Sequence, residues 1–124
     1  MKKTRILHLL AILALVAGMV SCEYEWVEPE VVVLPQKVSF ASDILPVFNK
    51  SCNMSGCHAQ GAVAPDLSAA NAFTDLMNRG LINTEQPAQS PLYLSVFSGS
   101  MKKFSTSADN ALILKWIEQG AQNN

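Results

Sequence analysis

Cys52-Asn53-Met54-Ser55-Gly56-Cys57-His58 puts two thiols and an imidazole within one short stretch, the second thiol directly before the imidazole. These are the residue types that bind a haem covalently: each thiol can add to a vinyl group to form a thioether, and the histidine can supply the iron's first axial ligand. The usual attachment motif has two residues between its cysteines, whereas this one has four. Asn53, Ser55 and Gly56 in the inserted stretch are turn formers, so a bulged loop would keep both sulfurs within reach of both vinyl groups. The second ring nitrogen of His58 should donate to a backbone carbonyl, fixing the tautomer and tuning the basicity of the ligand nitrogen.

A sixth ligand must come from farther along the chain. Met101 is the residue chosen, because it follows a Gly99-Ser100 turn and precedes a loop. A thioether is a soft ligand that favours the ferrous state and raises the reduction potential, and a methionine-histidine pair suits electron transfer. Met54 lies in the cysteine loop and cannot easily swing to the other haem face. Met77 is the competitor, but its place near Phe73 and Leu76 on an apolar helical face predicts core packing.

The N-terminus points to the compartment where such chemistry takes place. Lys2, Lys3 and Arg5 precede an apolar run from Ile6 to Val20, closed by Ser21-Cys22. The layout is that of a secretory signal rather than a membrane span, which needs about twenty apolar residues. Met19-Val20-Ser21-Cys22 resembles a bacterial lipoprotein signal, in which cleavage precedes the cysteine and Cys22 is acylated. More than one acyl chain there would anchor the protein stably to a membrane. Residues 1–21 are therefore read as signal peptide and 22–37 as the lipidated cysteine and a tether; 38–124 is the functional domain. The tether carries Glu23, Glu25, Glu28 and Glu30, which anionic headgroups would repel, and its valine run Val31-Val32-Val33 is the only stretch that hints at a strand. Export would place the protein in the periplasm or on the cell surface. In that oxidising compartment Cys52 and Cys57 would be expected to pair or to be consumed covalently.

Without the signal, six basic residues face ten carboxylates, a formal charge of −4. That balance argues against nucleic acid as a partner, since phosphate binding needs clustered Lys and Arg. His58 is the only histidine after the signal, so no nucleophile, base and acid set can be assembled, and the carboxylates show no pairing suited to general acid-base work. The expected role is electron carrier rather than enzyme.

Four helices are predicted in the domain. The first covers about Asp43 to Lys50, with Ser42 or Asp43 as N-cap and Pro46 in or near its first turn. The second covers about Ala69 to Arg79, capped by Ser68 and ended by Gly80. Ser90-Pro91 opens a third that is closed by Gly99. The fourth runs from near Ser107 to Gln119 and ends at Gly120, with Leu112, Ile113, Trp116 and Ile117 as its buried stripe. No alternating strand pattern follows Lys37. A domain of this size buries a limited core, and a haem would supply apolar surface for a few short helices to pack on.

Phe40 to Phe48 ahead of Cys52, Cys57-His58, Ala64-Pro65-Asp66-Leu67-Ser68, Met101 and Trp116-Ile117-Glu118-Gln119-Gly120-Ala121 together resemble the small monohaem c-type cytochrome domains found as lipoproteins in Bacteroidetes-like bacteria. The resemblance covers about residues 38–124, and Lys102-Lys103 stand where that family commonly has prolines. It implies an all-α, cytochrome c-like fold of about four short helices around haem c held by Cys52 and Cys57, with His58 and Met101 on the iron. It also implies a first helix crossing the last near Phe48 and Trp116, pocket walls from Phe48, Pro65, Leu67, Leu94, Phe97 and Trp116, and a protein redox partner.

Three other readings use the same residues. Cys52 and Cys57 could close a small disulfide in an extracellular binding or structural module. Cys52, Cys57, His58 and Met101 suit copper(I) in softness, although adjacent Cys57 and His58 are awkward for a compact site. If Met101 is not a ligand, an open iron position would suit a sensor or peroxidase-like role, with Asp66, Asn71 and Arg79 as nearby polar candidates; loop capping, helix solvation and a surface salt bridge are their simpler roles.

Overall fold

The computed structural model describes residues 31–124, together with Lys3 and His8. Most of the expected signal peptide, Cys22 and the glutamate-rich part of the tether lie outside the described residues. Residues 31–124 form one compact unit. Its regular structure is helical, with no strand among the described residues: α1 (Leu45–Ser51), α2 (Ala72–Asn78), α3 (Pro91–Phe97) and α4 (Ser107–Glu118). A π-helical turn, Phe40–Ile44, leads into α1, and 3-10 turns occupy Pro87–Gln89 and Lys102–Phe104. Val31 and Val33 are exposed and belong to no strand.

The start of the first helix differs from the sequence expectation. Ser39, not Ser42 or Asp43, is the N-cap: its hydroxyl accepts from Ser42 N at 3.2 Å, and Asp43 Oδ2 accepts from Ser39 N at 2.7 Å. The reciprocal pair is a capping box one residue wider than usual, matching the π register in which Ile44 N reaches back to Ser39 O. Pro46 supplies the reason. In an unbroken α-helix its ring would meet the Ser42 carbonyl, and a wider turn before it moves that carbonyl aside.

α2 begins at Ala72, three residues later than Ala69, and Ser68 makes no side-chain cap on it. The chain before it is tied up in a loop of its own, where Asp66 Oδ1 accepts from Ser68 N at 2.9 Å and Asp66 Oδ2 from Asn71 Nδ2 at 2.8 Å. The helix ends as expected. Gly80 takes φ 64°, and Leu81 N closes on Leu76 O at 3.0 Å, a left-handed termination that a Cβ would disfavour. α4 starts with a capping box, Thr106 with Asp109, and ends with Gly120 at φ 91° and Ala121 at φ 47°.

The core is built on Phe40, Ile44, Val47 and Phe48 from the first helical segment, Ala72 and Leu76 from α2, Leu92 and Val96 from α3, and Ile113, Trp116 and Ile117 from α4. Leu112 is only partly buried at its edge. Phe40 is the hub of the aromatic contacts, with ring centroids 5.2 Å from Trp116, 5.4 Å from Phe73 and 6.3 Å from Phe48. Edge and tilted pairs of this kind add roughly 0.5–1.5 kcal/mol each beyond the area they bury. The first helical segment thus meets α4 chiefly through its π turn, and Phe40 stands between Phe48 and Trp116.

The last residues return to the start of the domain. Asn124 O accepts from Ala41 N at 2.9 Å and from the Ser39 hydroxyl at 2.8 Å, and Gln119 bridges Val38 N and Gln36 O at 2.9 Å each. Trp116, 1% exposed, spends its indole N–H on Gln122 O at 2.9 Å. Asn124 satisfies the first two N–H groups of the π turn, Ala41 N through its carbonyl and Phe40 N through Oδ1 at 2.9 Å.

Candidate functional site

α1 delivers the cysteine loop. Cys52 follows the last turn of the helix, its N–H bonded to Phe48 O at 2.8 Å, and Asn53 N shares the same carbonyl at 2.7 Å. The inserted residues then turn back: Cys57 N donates to Met54 O at 2.9 Å and Gly56 takes φ 79°. His58 N reaches Cys52 O at 3.2 Å, so the four inserted residues bulge outward and the chain after them rejoins the helix end. Both thiols are free; Cys52 is half-buried and Cys57 exposed. Burial pushes the Cys52 thiol above the usual range, against a hydrogen bond from Ser51, with the Asp109 carboxylate and Cys57 adding to the rise.

The loop after the motif orients the imidazole. Leu67 N bonds His58 O at 2.8 Å and Val63 N bonds Cys57 O at 2.8 Å, which folds residues 63–67 back over the histidine; the Ala64–Pro65 peptide within them is cis. Nδ1 of His58 consequently lies 3.0 Å from Pro65 O and 3.1 Å from Val63 O. Carbonyl oxygens only accept, so Nδ1 carries the proton and donates. In the neutral ring, Nε2 then holds the free lone pair. A ligating histidine needs this arrangement, with one nitrogen held by the backbone and the other open to a metal.

Met101 sits at the end of the loop after α3. Its N–H donates to Ser95 O at 3.1 Å, its carbonyl accepts from Phe104 N at 2.9 Å, and its half-buried side chain packs against the core edge, as Cys52 does. No direct contact joins it to His58 among the described interactions. The 3-10 turn Lys102–Phe104 fixes this loop where prolines would not fit: Met101 has φ −92° and ψ −3°, a conformation that a proline at 102 would disfavour. Lys103 lies over the Phe104 ring, 4.9 Å from its centroid.

Met77 is not the core residue that the sequence predicted. It is 42% exposed, while Leu76 beside it is fully buried. α2 has under two turns: Ala72 and Leu76, four residues apart, are buried and Phe73 packs against the core edge, whereas Met77 is rotated about 100° from Leu76. The expected pocket walls also divide. Phe48, Leu67 and Trp116 are core residues, Pro65 is half-buried, and Leu94 and Phe97 are 38% and 51% exposed. Phe97 stacks on Tyr93 with centroids 5.2 Å apart, so α3 presents apolar surface beside the Met101 loop.

Asp66, Asn71 and Arg79 have structural employment. Hydrogen bonds from Ser68, then Asn71, hold the Asp66 carboxyl below the usual range. Arg79 Nε pairs with Asp75 Oδ2 at 2.8 Å on the surface, and Asp66 N donates to the same oxygen at 2.7 Å. Sequence reasoning missed Asp109 near the motif. Its Oδ2 accepts from Thr106 N at 3.0 Å, the Thr106 hydroxyl at 2.8 Å and Lys50 Nζ at 3.5 Å, which joins the end of α1 to the start of α4. The Thr106-x-x-Asp109 spacing was its available signal.

Among the described residues, no three His, Cys, Asp or Glu side chains are gathered to hold a bare metal ion, and no helix is long and apolar enough to cross a membrane. A cavity of about 360 Å³ opens where the two ends of the domain meet, lined by Gln36, Val38, Trp116, Gln119, Gln122 and Asn124 among others. It holds neither cysteine nor histidine, and most of its polar lining is already bonded internally. Comparison with protein-family models, curated proteins and solved structures finds no match to this chain.

Proposed function

We propose that this chain is an exported, lipid-anchored electron-transfer protein with one haem c on Cys52 and Cys57, His58 as proximal ligand and Met101 as distal ligand. The observation that carries the reading is the His58 ring: two backbone carbonyls hold Nδ1 and leave Nε2 open, directly behind a pair of free thiols. A histidine serving only to pack a loop has no need of two cysteines beside it.

The haem supplies a one-electron iron centre, and the chain's residues do the rest. Cys52 and Cys57 hold it through two thioethers, which prevents its loss. His58 is oriented by Pro65 O and Val63 O, hydrogen bonds that fix its tautomer and the setting of its ring. The Met101 thioether favours the reduced state. Leu94 and Phe97, exposed on α3, are apolar surface that a bound macrocycle would cover. Function then consists of brief docking to a protein redox partner and passage of one electron, with no substrate bond made or broken.

Met77 is the alternative thioether, since it too is accessible. Optical spectra of the Met101→Leu and Met77→Leu proteins separate the two. Loss of the weak far-red band of methionine-ligated ferric haem in Met101→Leu alone is expected. Its loss in Met77→Leu alone would transfer the ligand role, and its absence in the unmodified protein would favour an open iron position.

A further inference from the structure

Gly99 is not needed for its backbone angle, since its φ lies outside the left-handed region that glycine alone favours. It is needed for space. A Cβ built on it would stand 2.9 Å from Ser95 Cα and 3.1 Å from both Leu94 O and Ser95 O. All three are main-chain atoms of α3, so no side chain can swing away to make room. Restoring ordinary contact, which begins at 3.4 Å, requires the loop to move off the helix by roughly half an ångström.

The same short segment carries Met101. Gly99 N donates to Leu94 O at 2.8 Å, Met101 N to Ser95 O at 3.1 Å and Lys102 N to Gly99 O at 3.2 Å. The acceptors for the first two bonds are carbonyls of the helix that a Cβ at position 99 would press against. A displacement of residue 99 therefore stretches the bond that places Met101.

We infer that Gly99 is a positioning residue for Met101: close approach of the bare backbone at 99 to α3 locks the methionine, the task that proline performs in loops of other design. As a statement about the loop this stands alone; as a statement about iron ligation it rests on the haem reading above. Loss of the lock would leave His58 as the sole strong ligand and open the other iron position to added ligands.

The test uses the mature chain as purified, in unmodified, Gly99→Ala and Gly120→Ala forms. Gly120→Ala is the control, a comparable backbone insult at the end of α4, outside the 99–101 loop. Amide hydrogen exchange at Met101 should speed up about tenfold or more in Gly99→Ala, with Leu67 unchanged and Gly120→Ala like the parent at Met101. In haem-loaded protein, Gly99→Ala should also lose the far-red methionine band and bind added imidazole. Unchanged protection of Met101 in a folded Gly99→Ala protein overturns the proposal. If that variant does not fold, native-state exchange of the unmodified chain decides: Gly99 and Met101 amides must open as one unit, and a Met101 amide opening about tenfold more readily than Gly99 overturns it. A haem-free parent would sink the functional reading, and the amide data would still decide the role of Gly99.

Discussion

Asp109→Ala removes an acceptor that serves three donors beside the cysteine loop. The carboxylate takes the backbone N–H and hydroxyl of Thr106 and the ammonium of Lys50, and the residue is buried. Only the half of the capping box that the carboxylate supplies is lost, since the backbone N–H of residue 109 can still donate to the Thr106 hydroxyl; that half is worth about 0.5–1 kcal/mol. The stranded, part-buried Thr106 donors add about 1 kcal/mol. The ion pair adds little: Lys50 is 61% exposed, and screening holds such a pair under about 0.5 kcal/mol. The total is about 1.5–2.5 kcal/mol. Its pH dependence has a definite sign. Burial, the largest influence on this carboxyl, pushes its pKa up, but the hydrogen bonds from Thr106 and the charge and bond of Lys50 outweigh it and leave the folded value lowered. The unfolded chain then binds more protons at acid pH. The contribution is complete above the unfolded value of about 3.9 and disappears as pH falls through the lowered folded value. Urea unfolding of the parent, Asp109→Ala and Lys50→Ala proteins at neutral and acid pH tests this. The Asp109→Ala deficit should be largest at neutral pH and narrow in acid, with Lys50→Ala within about 0.5 kcal/mol of the parent throughout. An Asp109→Ala deficit independent of pH, or a Lys50→Ala deficit as large, would refute the reasoning.

Gly80→Ala should cost about 1–2 kcal/mol from its left-handed φ alone, since nothing lies within 4 Å of a Cβ there; the urea midpoint reports it. Leu76→Ala should lose about 2–5 kcal/mol through a core cavity and Met77→Ala less than about 1 kcal/mol, a contrast that thermal unfolding will show between neighbouring residues. Cys57→Ser should keep haem on Cys52 through a single thioether, with the pyridine haemochrome band shifted, whereas the Cys52→Ser, Cys57→Ser double variant should release all haem to acid-acetone extraction.

Local signals were the legible part of the fold. Gly80 and Gly120 mark helix ends, Ser90-Pro91 marks a start, and the Ile113, Trp116 and Ile117 spacing marks a buried face, because each depends only on residues within a turn or two. Features set by competition or by distance were not legible. Asp66 takes the Ser68 N–H for its own turn, which delays α2, and Pro46 forces a π turn that moves the N-cap to Ser39. The contacts of Gln119 and Asn124 with residues 36–41 join parts of the chain more than eighty residues apart, and no local pattern encodes them. At the candidate site the motif was plain from residue types, and a carbonyl partner for the His58 ring was expected. That Pro65 and Val63 supply it, and that a 3-10 turn holds Met101, emerge only from the folded loops. Met77 was misread because apolarity was taken for burial on a helix too short to bury more than one side.

The central claim is a covalent haem on the two cysteines. Intact mass of the mature chain, co-expressed with a cytochrome c maturation system and measured with a denatured pyridine haemochrome, tests it most directly. The account predicts an increase of one haem per chain that survives denaturation, with a haemochrome of the thioether type. A colourless chain two protons lighter than its thiol form, with Cys52 joined to Cys57, would contradict it and leave a disulfide-stapled module.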